Sequence, residues 1–366
     1  MRGRADDAMG ATMNQASLLG TRPLIVIWEV TRACELACRH CRAEAQSRRD
    51  PLELRPDEVR PLLDQVARAN PRVFVLTGGD PMMRPDLLEI VAGATERGLQ
   101  VSLSPSATPQ FLHADLCRFR EVGLKRVSLS LDGATPLSHD AFRGVPGTWD
   151  RTMEAIAAAR EAGLEVQINT TITRQNLGEL EDFIELLESI KPSLWSVFQL
   201  VPTGRASTAD MLSAVEMEAL FERLAELAST VPYPIKTTEG QHFRRVQVQR
   251  WLRHPVGRKP VLLPVNDGKG FVFISHRGDI QPSGFLPVTV GNVRRDELID
   301  VYRHSPVFKA LRDPNQLKGK CSRCEFRSLC GGSRARAHAV TGDWLAEEPL
   351  CSYQPRTGLR ATALIA

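Results

Sequence analysis

Residues 24–41 read LIVIWEVTRACELACRHC, a short apolar and β-branched run that leads directly into three cysteines, Cys34, Cys38 and Cys41, spaced C-x3-C-x2-C. The run has the texture of a strand buried on both faces, as in a parallel sheet. Three thiols at its end are one short of a closed tetrahedral set.

Five runs of the same kind follow: RVFVLT (72–77), QVSLS (100–104), RVSLSLD (126–132), EVQINTT (165–171) and LWSVFQLV (194–201). Amphipathic segments such as PDEVRPLLDQVARAN and TWDRTMEAIAAAREAG separate them, and Gly98 and Gly163 fall where helices should end. Six β-α units in a row predict an α/β fold with a parallel sheet, either a partial (β/α)6 TIM-type barrel or an open wound sheet. The unusual residues gather just after the strands: the cysteines, then TGGDP (77–81), SPSATP (104–109), SLDG (130–133), NTT (169–171) and LVPTGR (200–205). Each stretch alone is ordinary turn chemistry. Together they mark the C-terminal rim of the sheet, where α/β folds bind ligands.

From Gly268 the texture changes, and GFVFISHRGDIQPSG (270–284) reads as a hairpin. The expected organisation is a flexible tail over 1–22, a barrel over 23–235, a linker over 236–267, a small α+β cysteine-rich module over 268–358 and a tail over 359–366.

The chain has 366 residues, and no apolar run approaches the roughly 18 residues of a membrane span. Its start carries no signal-peptide core, so a cytoplasmic protein with reduced thiols is expected. A net charge of +4 without a concentrated patch predicts neither a nucleic acid nor a membrane as partner.

Of the 8 cysteines only Cys117 stands alone, and it reads as a small apolar filler of a helix. The others form the first triad and a C-x2-C-x5-C-x20-C quartet, Cys321, Cys324, Cys330 and Cys351. Three thiolates can ligate three corners of an iron-sulfur cube and leave the fourth iron open, the mark of a reactive centre. A zinc site completed by His40, or simply buried thiols, are the alternatives. The quartet can close a cluster or a zinc site, although its x5 gap fits poorly with paired zinc knuckles.

On these residues the sequence resembles the radical S-adenosylmethionine (SAM) superfamily over about residues 24–355. The resemblance implies a 4Fe-4S cluster on Cys34, Cys38 and Cys41, with SAM on the open iron, reductively cleaved to a 5'-deoxyadenosyl radical that abstracts hydrogen from a substrate. It further implies SAM contacts from Gly78, Gly79 and Asp80 of GGDP, from Ser106, Ser130, Arg143 and Leu200, and from His40 beside the adenine. Asp80 replaces the family's usual glutamate, and Ser106 lies where Thr-Asn-Gly is usual. The ending CSRCEFRSLCGGSRARAHAVTGDWLAEEPLC resembles the SPASM/twitch module. Ser283 and Arg334 stand where further cysteines are usual, so the resemblance implies one auxiliary 4Fe-4S cluster on the quartet, two clusters in all.

Members with this ending and a single auxiliary cluster are similar to enzymes of haem and haem d1 biosynthesis, which implies an oxidoreductase acting on tetrapyrrole propionates, with an external one-electron donor such as a ferredoxin or flavodoxin. Arg205, Arg244, Arg245, Arg334 and Arg336 are candidate forks for substrate carboxylates, and Trp195 and His242 candidate rings beside a flat ligand. A ribosomally made peptide is the competing substrate, against which the short stretch before Leu24 leaves no room for a peptide-recognition domain. A non-catalytic iron-sulfur electron carrier is the third reading, and it would need no SAM pocket.

Overall fold

Strand β1 (Ile25–Glu29) shows how the layers arise. Val26 and Trp28 are fully buried towards the helices, whereas Ile25 and Ile27, on the opposite face, are only half-buried. The same alternation continues in β2 (Val73–Thr77), where Phe74 and Leu76 are buried. β3 (Val101–Leu103), β4 (Arg126–Ser130), β5 (Glu165–Ile172) and β6 (Leu194–Gln199) follow in order, each parallel to the one before. The computed structural model describes residues 18–255 and 262–356.

The helices sit on the outer face because their apolar residues recur at helical spacing. In α1 (Pro56–Ala69), Val59, Leu62, Leu63 and Val66 form one buried stripe. Pro56 opens this helix, where its missing N–H costs nothing, and Asn70 ends it in the left-handed region. Gly98 and Gly163 do lie just past helix ends, with φ of 77° and 75°. Truncating a buried leucine of this layer, such as Leu62, costs ~2–5 kcal/mol.

The sheet continues past the six expected strands on both sides. β7 (Ile235–Thr238) pairs parallel with β6, and β8 (Phe271–Ile274) pairs parallel with the free edge of β1. β9 (Asp279–Gln281) returns antiparallel on β8, the expected hairpin, and β10 (Gly291–Asn292) completes a 10-stranded sheet in the order β10-β9-β8-β1-β2-β3-β4-β5-β6-β7. The partial barrel and the C-terminal module thus share one sheet, and β8 covers the edge that an unclosed barrel would expose.

Two expected segments differ. Residues 236–267, expected as a linker, carry most of β7 and the helix Phe243–Arg253, while 256–261 lie outside the described residues. Residues 18–22 of the expected tail are packed: Leu19 is buried, and its carbonyl accepts the Tyr302 hydroxyl. Residues 1–17 and 357–366 lie outside the described residues.

Candidate cluster and cofactor sites

The triad occupies a loop that leaves β1 and is closed on itself. Cys34 N–H donates to the Gln46 carbonyl at 2.8 Å, and Gln46 N–H donates to that of Arg32 at 2.9 Å. The buried Glu53 carboxylate gathers the two ends, accepting from Thr31 Oγ1 at 2.6 Å, Arg32 N–H at 3.2 Å, Asp50 N–H at 3.3 Å and Arg49 Nε at 2.7 Å. Backbone N–H groups of Leu36 and Ala45 point at the sulfurs of Cys34 and Cys41, at 3.3 and 3.4 Å. Such donors favour the thiolate form that metal binding requires.

Four glycines press other rim loops against this one. A Cβ on Gly78 would stand 2.7 Å from the Thr31 carbonyl oxygen, and one on Gly79 2.4 Å from that of Ala33. One on Gly144 would meet Ala37 O at 2.7 Å, and one on Gly204 both Cys41 O and Arg42 O at 2.5 Å. Gly78 and Gly79, expected as SAM contacts, are therefore required first by the cysteine loop itself.

Arg143 lies buried beside the triad. Burial opposes its charge, but Cys38, Asp132, Cys34 and Cys41 around it raise its pKa above the ordinary value. Its Nη1 donates to Asp132 at 3.0 Å. Burial likewise pushes the free Cys34 thiol up to about 11 and raises Cys38, the latter partly offset by Arg143. The site is thus a buried cation beside the triad, where burial opposes ionisation of Cys34 and Cys38.

The other expected SAM residues divide. His40 packs against Phe142, the rings tilted at 44° with centroids 4.4 Å apart, and burial lowers its pKa to about 4. Ser106 Oγ lies 3.8 Å from Cys34 Sγ, and Ser130 is half-buried at the end of β4, paired with Asn169. Asp80 is committed elsewhere: its carboxylate accepts from Met82 N–H, Ser106 N–H and Thr108 Oγ1, at 3.2, 3.2 and 2.6 Å. Burial raises it to about 6 against those bonds. Leu200 is buried, and its carbonyl accepts from Arg336.

The quartet lies at the other end of the chain and lines one pocket together with His242 and Arg245. Gly332 N–H points at Cys330 Sγ and Glu348 N–H at Cys321 Sγ, both at 3.4 Å. Burial pushes the free Cys324 thiol up to about 11 and that of Cys330 higher still. Ser283 and Arg334, at the positions of the missing cysteines, are turned to other uses. The Ser283 hydroxyl accepts from Phe285 N–H at 3.2 Å, and Arg334 donates to the carbonyls of Trp344 and Ala346 at 3.0 and 2.6 Å.

The profile of the radical SAM superfamily matches residues 28–187. An AdoMet-dependent heme synthase of Nitratidesulfovibrio vulgaris is 42% identical over 344 residues, 91% of this chain and 93% of that protein. The chain belongs to the radical SAM superfamily. The mycofactocin maturase MftC of Mycobacterium ulcerans is also similar, 30% identical over 87% of this chain and 85% of that one. Among solved structures, Streptococcus suis SuiB bound to S-adenosylmethionine superposes with a TM-score of 0.70 at 16% identity, over 95% of this chain and 82% of that one. That likeness concerns the fold.

This radical SAM enzyme therefore uses SAM and a 4Fe-4S cluster; the three thiols of the triad would suit the cluster, and the buried Arg143, ion-paired with Asp132, would place a cation beside it. The bound pair supplies a 5'-deoxyadenosyl radical. Around the triad the chain places a loop closed by its own hydrogen bonds, the buried ring of His40 and the guanidinium of Arg143.

The substrate-side candidates fare differently. Arg244 donates to the carbonyls of Leu329 and Val265, and Arg245 to Gln249 and Glu218. Arg336 is fully buried and donates to Glu348, Leu200 O and Glu239 O. Together with Arg334 these residues tie the module together; the unpartnered nitrogens among them, Arg245 Nε and Arg334 Nη2, are single donors and make no two-pronged fork. Only Arg205 remains, exposed beside the triad, its backbone N–H on Cys41 O at 3.1 Å. Trp195 packs among the helices with its indole N–H on Thr170 at 2.9 Å, because its position in β6 faces outward. Cys117, expected as a filler, is exposed.

Proposed function

We propose that this radical SAM enzyme acts on a tetrapyrrole, removing carboxylate carbon from propionate side chains by hydrogen abstraction and oxidative decarboxylation. The observation that carries this reading is the similarity to the heme synthase of N. vulgaris, which spans nearly all of both chains. Arg205 supports it as a carboxylate partner beside the triad, since no hydrogen bond or ion pair engages its guanidinium among the described residues.

The quartet holds one auxiliary 4Fe-4S cluster. Four thiols line one pocket, and four thiolates can ligate every iron of a 4Fe-4S cube. With every iron ligated by protein, that cluster suits electron transfer, and decarboxylation releases an electron that needs an acceptor. An external one-electron donor, a ferredoxin or flavodoxin, primes the triad cluster. Thiols of this kind call for a reducing compartment, the cytoplasm.

The test is anaerobic incubation of the reconstituted enzyme with SAM, a reductant and porphyrins bearing propionates, read by mass spectrometry. Loss of carbon dioxide and two hydrogens per converted propionate is expected. Unchanged porphyrins alongside a modified peptide from a matched extract would favour the maturase reading, which the similarity to MftC supports.

A further inference from the structure

His242 precedes the helix Phe243–Arg253 and is buried, 1% exposed. Its ring sits edge-on against Phe221 at 4.7 Å, and neither Nδ1 nor Nε2 has a hydrogen-bond partner. A buried imidazole with both nitrogens unanswered is rare in a folded protein, where buried polar atoms are nearly always paired. The wall that His242 lines answers the question of the missing partner: it belongs to the pocket of Cys321, Cys324, Cys330 and Cys351.

We propose that His242 donates a ring N–H hydrogen bond to a sulfur of the auxiliary cluster and so raises that cluster's reduction potential. This inference rests on the auxiliary-cluster reading above. His242 is therefore a positioning and tuning residue, and not the ring beside a flat substrate that its sequence context suggests.

The physical grounds are three. The buried ring has both nitrogens unpartnered, and an imidazole carries at least one N–H in either protonation state, so it has a donor to give. The sulfurs of a four-thiolate cluster are anionic acceptors, and each hydrogen bond to them stabilises the reduced, more negative state. Arg245, one turn further along the same helix, lines the same pocket with its Nε also unpartnered and its guanidinium 4.7 Å from the Tyr353 ring centroid. The start of this helix thus brings two unpaired side-chain donors, from His242 and Arg245, to a pocket whose backbone donors, Gly332 and Glu348, come from the C-terminal module.

The experiment uses the full chain carrying Cys34→Ala, Cys38→Ala and Cys41→Ala, so that only the auxiliary cluster remains. Iron content and the EPR-monitored midpoint potential are compared for His242, His242→Phe and His242→Gln, together with pulsed EPR on protein labelled with nitrogen-15 histidine. The expected result is a retained cluster in all three, a lower potential in His242→Phe, partial recovery in His242→Gln, and a weak histidine nitrogen coupling that His242→Phe abolishes. An unchanged potential in a fully loaded His242→Phe protein would overturn the inference and leave the cluster reading intact. If that variant loads no cluster, the labelled His242 protein decides, because absence of coupling, or a strong coupling typical of a metal ligand, overturns the hydrogen bond. No iron in any of the three would overturn the auxiliary cluster itself, and the inference with it.

Discussion

His276 Nδ1 lies 2.9 Å from Glu29 Oε1, joining the last residue of β1 to the turn between β8 and β9. The other ring nitrogen is 3.2 Å from Asp50, at the far end of the cysteine loop, and Arg42 reaches the second Glu29 oxygen at 3.0 Å. The loop that carries the triad is therefore clamped to the C-terminal module through one buried carboxylate.

Burial pushes the Glu29 carboxyl up, but Arg42, the bond to His276 and Arg32 outweigh it and hold its pKa at about 2. A depressed carboxylate stabilises the folded state above its ordinary value of 4.5, and the contribution is lost as pH falls through about 2. Glu29→Gln should therefore lower stability by about 3 kcal/mol at pH 7, since it leaves the partly buried Arg42 and Arg32 without their counter-charge. Urea unfolding of both apoproteins checks this: their difference should shrink steadily below pH 4.5. A pH-independent difference would show that packing and not charge is at stake.

Gly79→Ala drives a Cβ to 2.4 Å from the Ala33 carbonyl oxygen, whereas Gly178→Ala enters open space. Overpacking of this kind costs ~1–3 kcal/mol, here concentrated on the cysteine loop. Gly79→Ala should lose the triad's iron while the quartet keeps its own, and Gly178→Ala should match the parent. Iron analysis combined with EPR distinguishes the two sites, and equal loss from both would contradict the cradle assigned to Gly79.

Arg205 and Arg336 look alike in sequence and should behave oppositely. Arg336→Met strands the buried carboxylate of Glu348, a residue whose backbone N–H serves Cys321, so a loss of ~3–5 kcal/mol and of auxiliary iron is expected. Arg205→Ala, at an exposed position, should stay within about 0.5 kcal/mol of the parent and raise KM for a carboxylate-bearing substrate instead. Thermal melts and steady-state kinetics check both; an unchanged KM in Arg205→Ala would remove it from the substrate site.

Much of this was legible because strands and cysteines are local signals. Six apolar runs gave six parallel strands, and the two thiol groups stand at two separate sites. What escaped was decided by distant partners. The β7 segment IKTT is short and polar, and it is a strand because β6 offers a free edge. The pairing of β8 with β1 brings together residues far apart in the chain, as does the role of Glu53 in closing the cysteine loop. The arginines misled because charge is visible in a sequence, whereas the backbone carbonyls that consume Arg244 and Arg334 are not.

The most direct test of the proposal, an open reactive cluster on the triad and a closed conducting one on the quartet, is EPR of the reduced protein with and without SAM, in Cys324→Ala and in Cys38→Ala. SAM should shift the spectrum of the cluster left in Cys324→Ala, which retains the triad, and leave that in Cys38→Ala unchanged, with 5'-deoxyadenosine formed only by the former. A spectrum perturbed by SAM in Cys38→Ala, or SAM cleavage by that variant, would contradict the account.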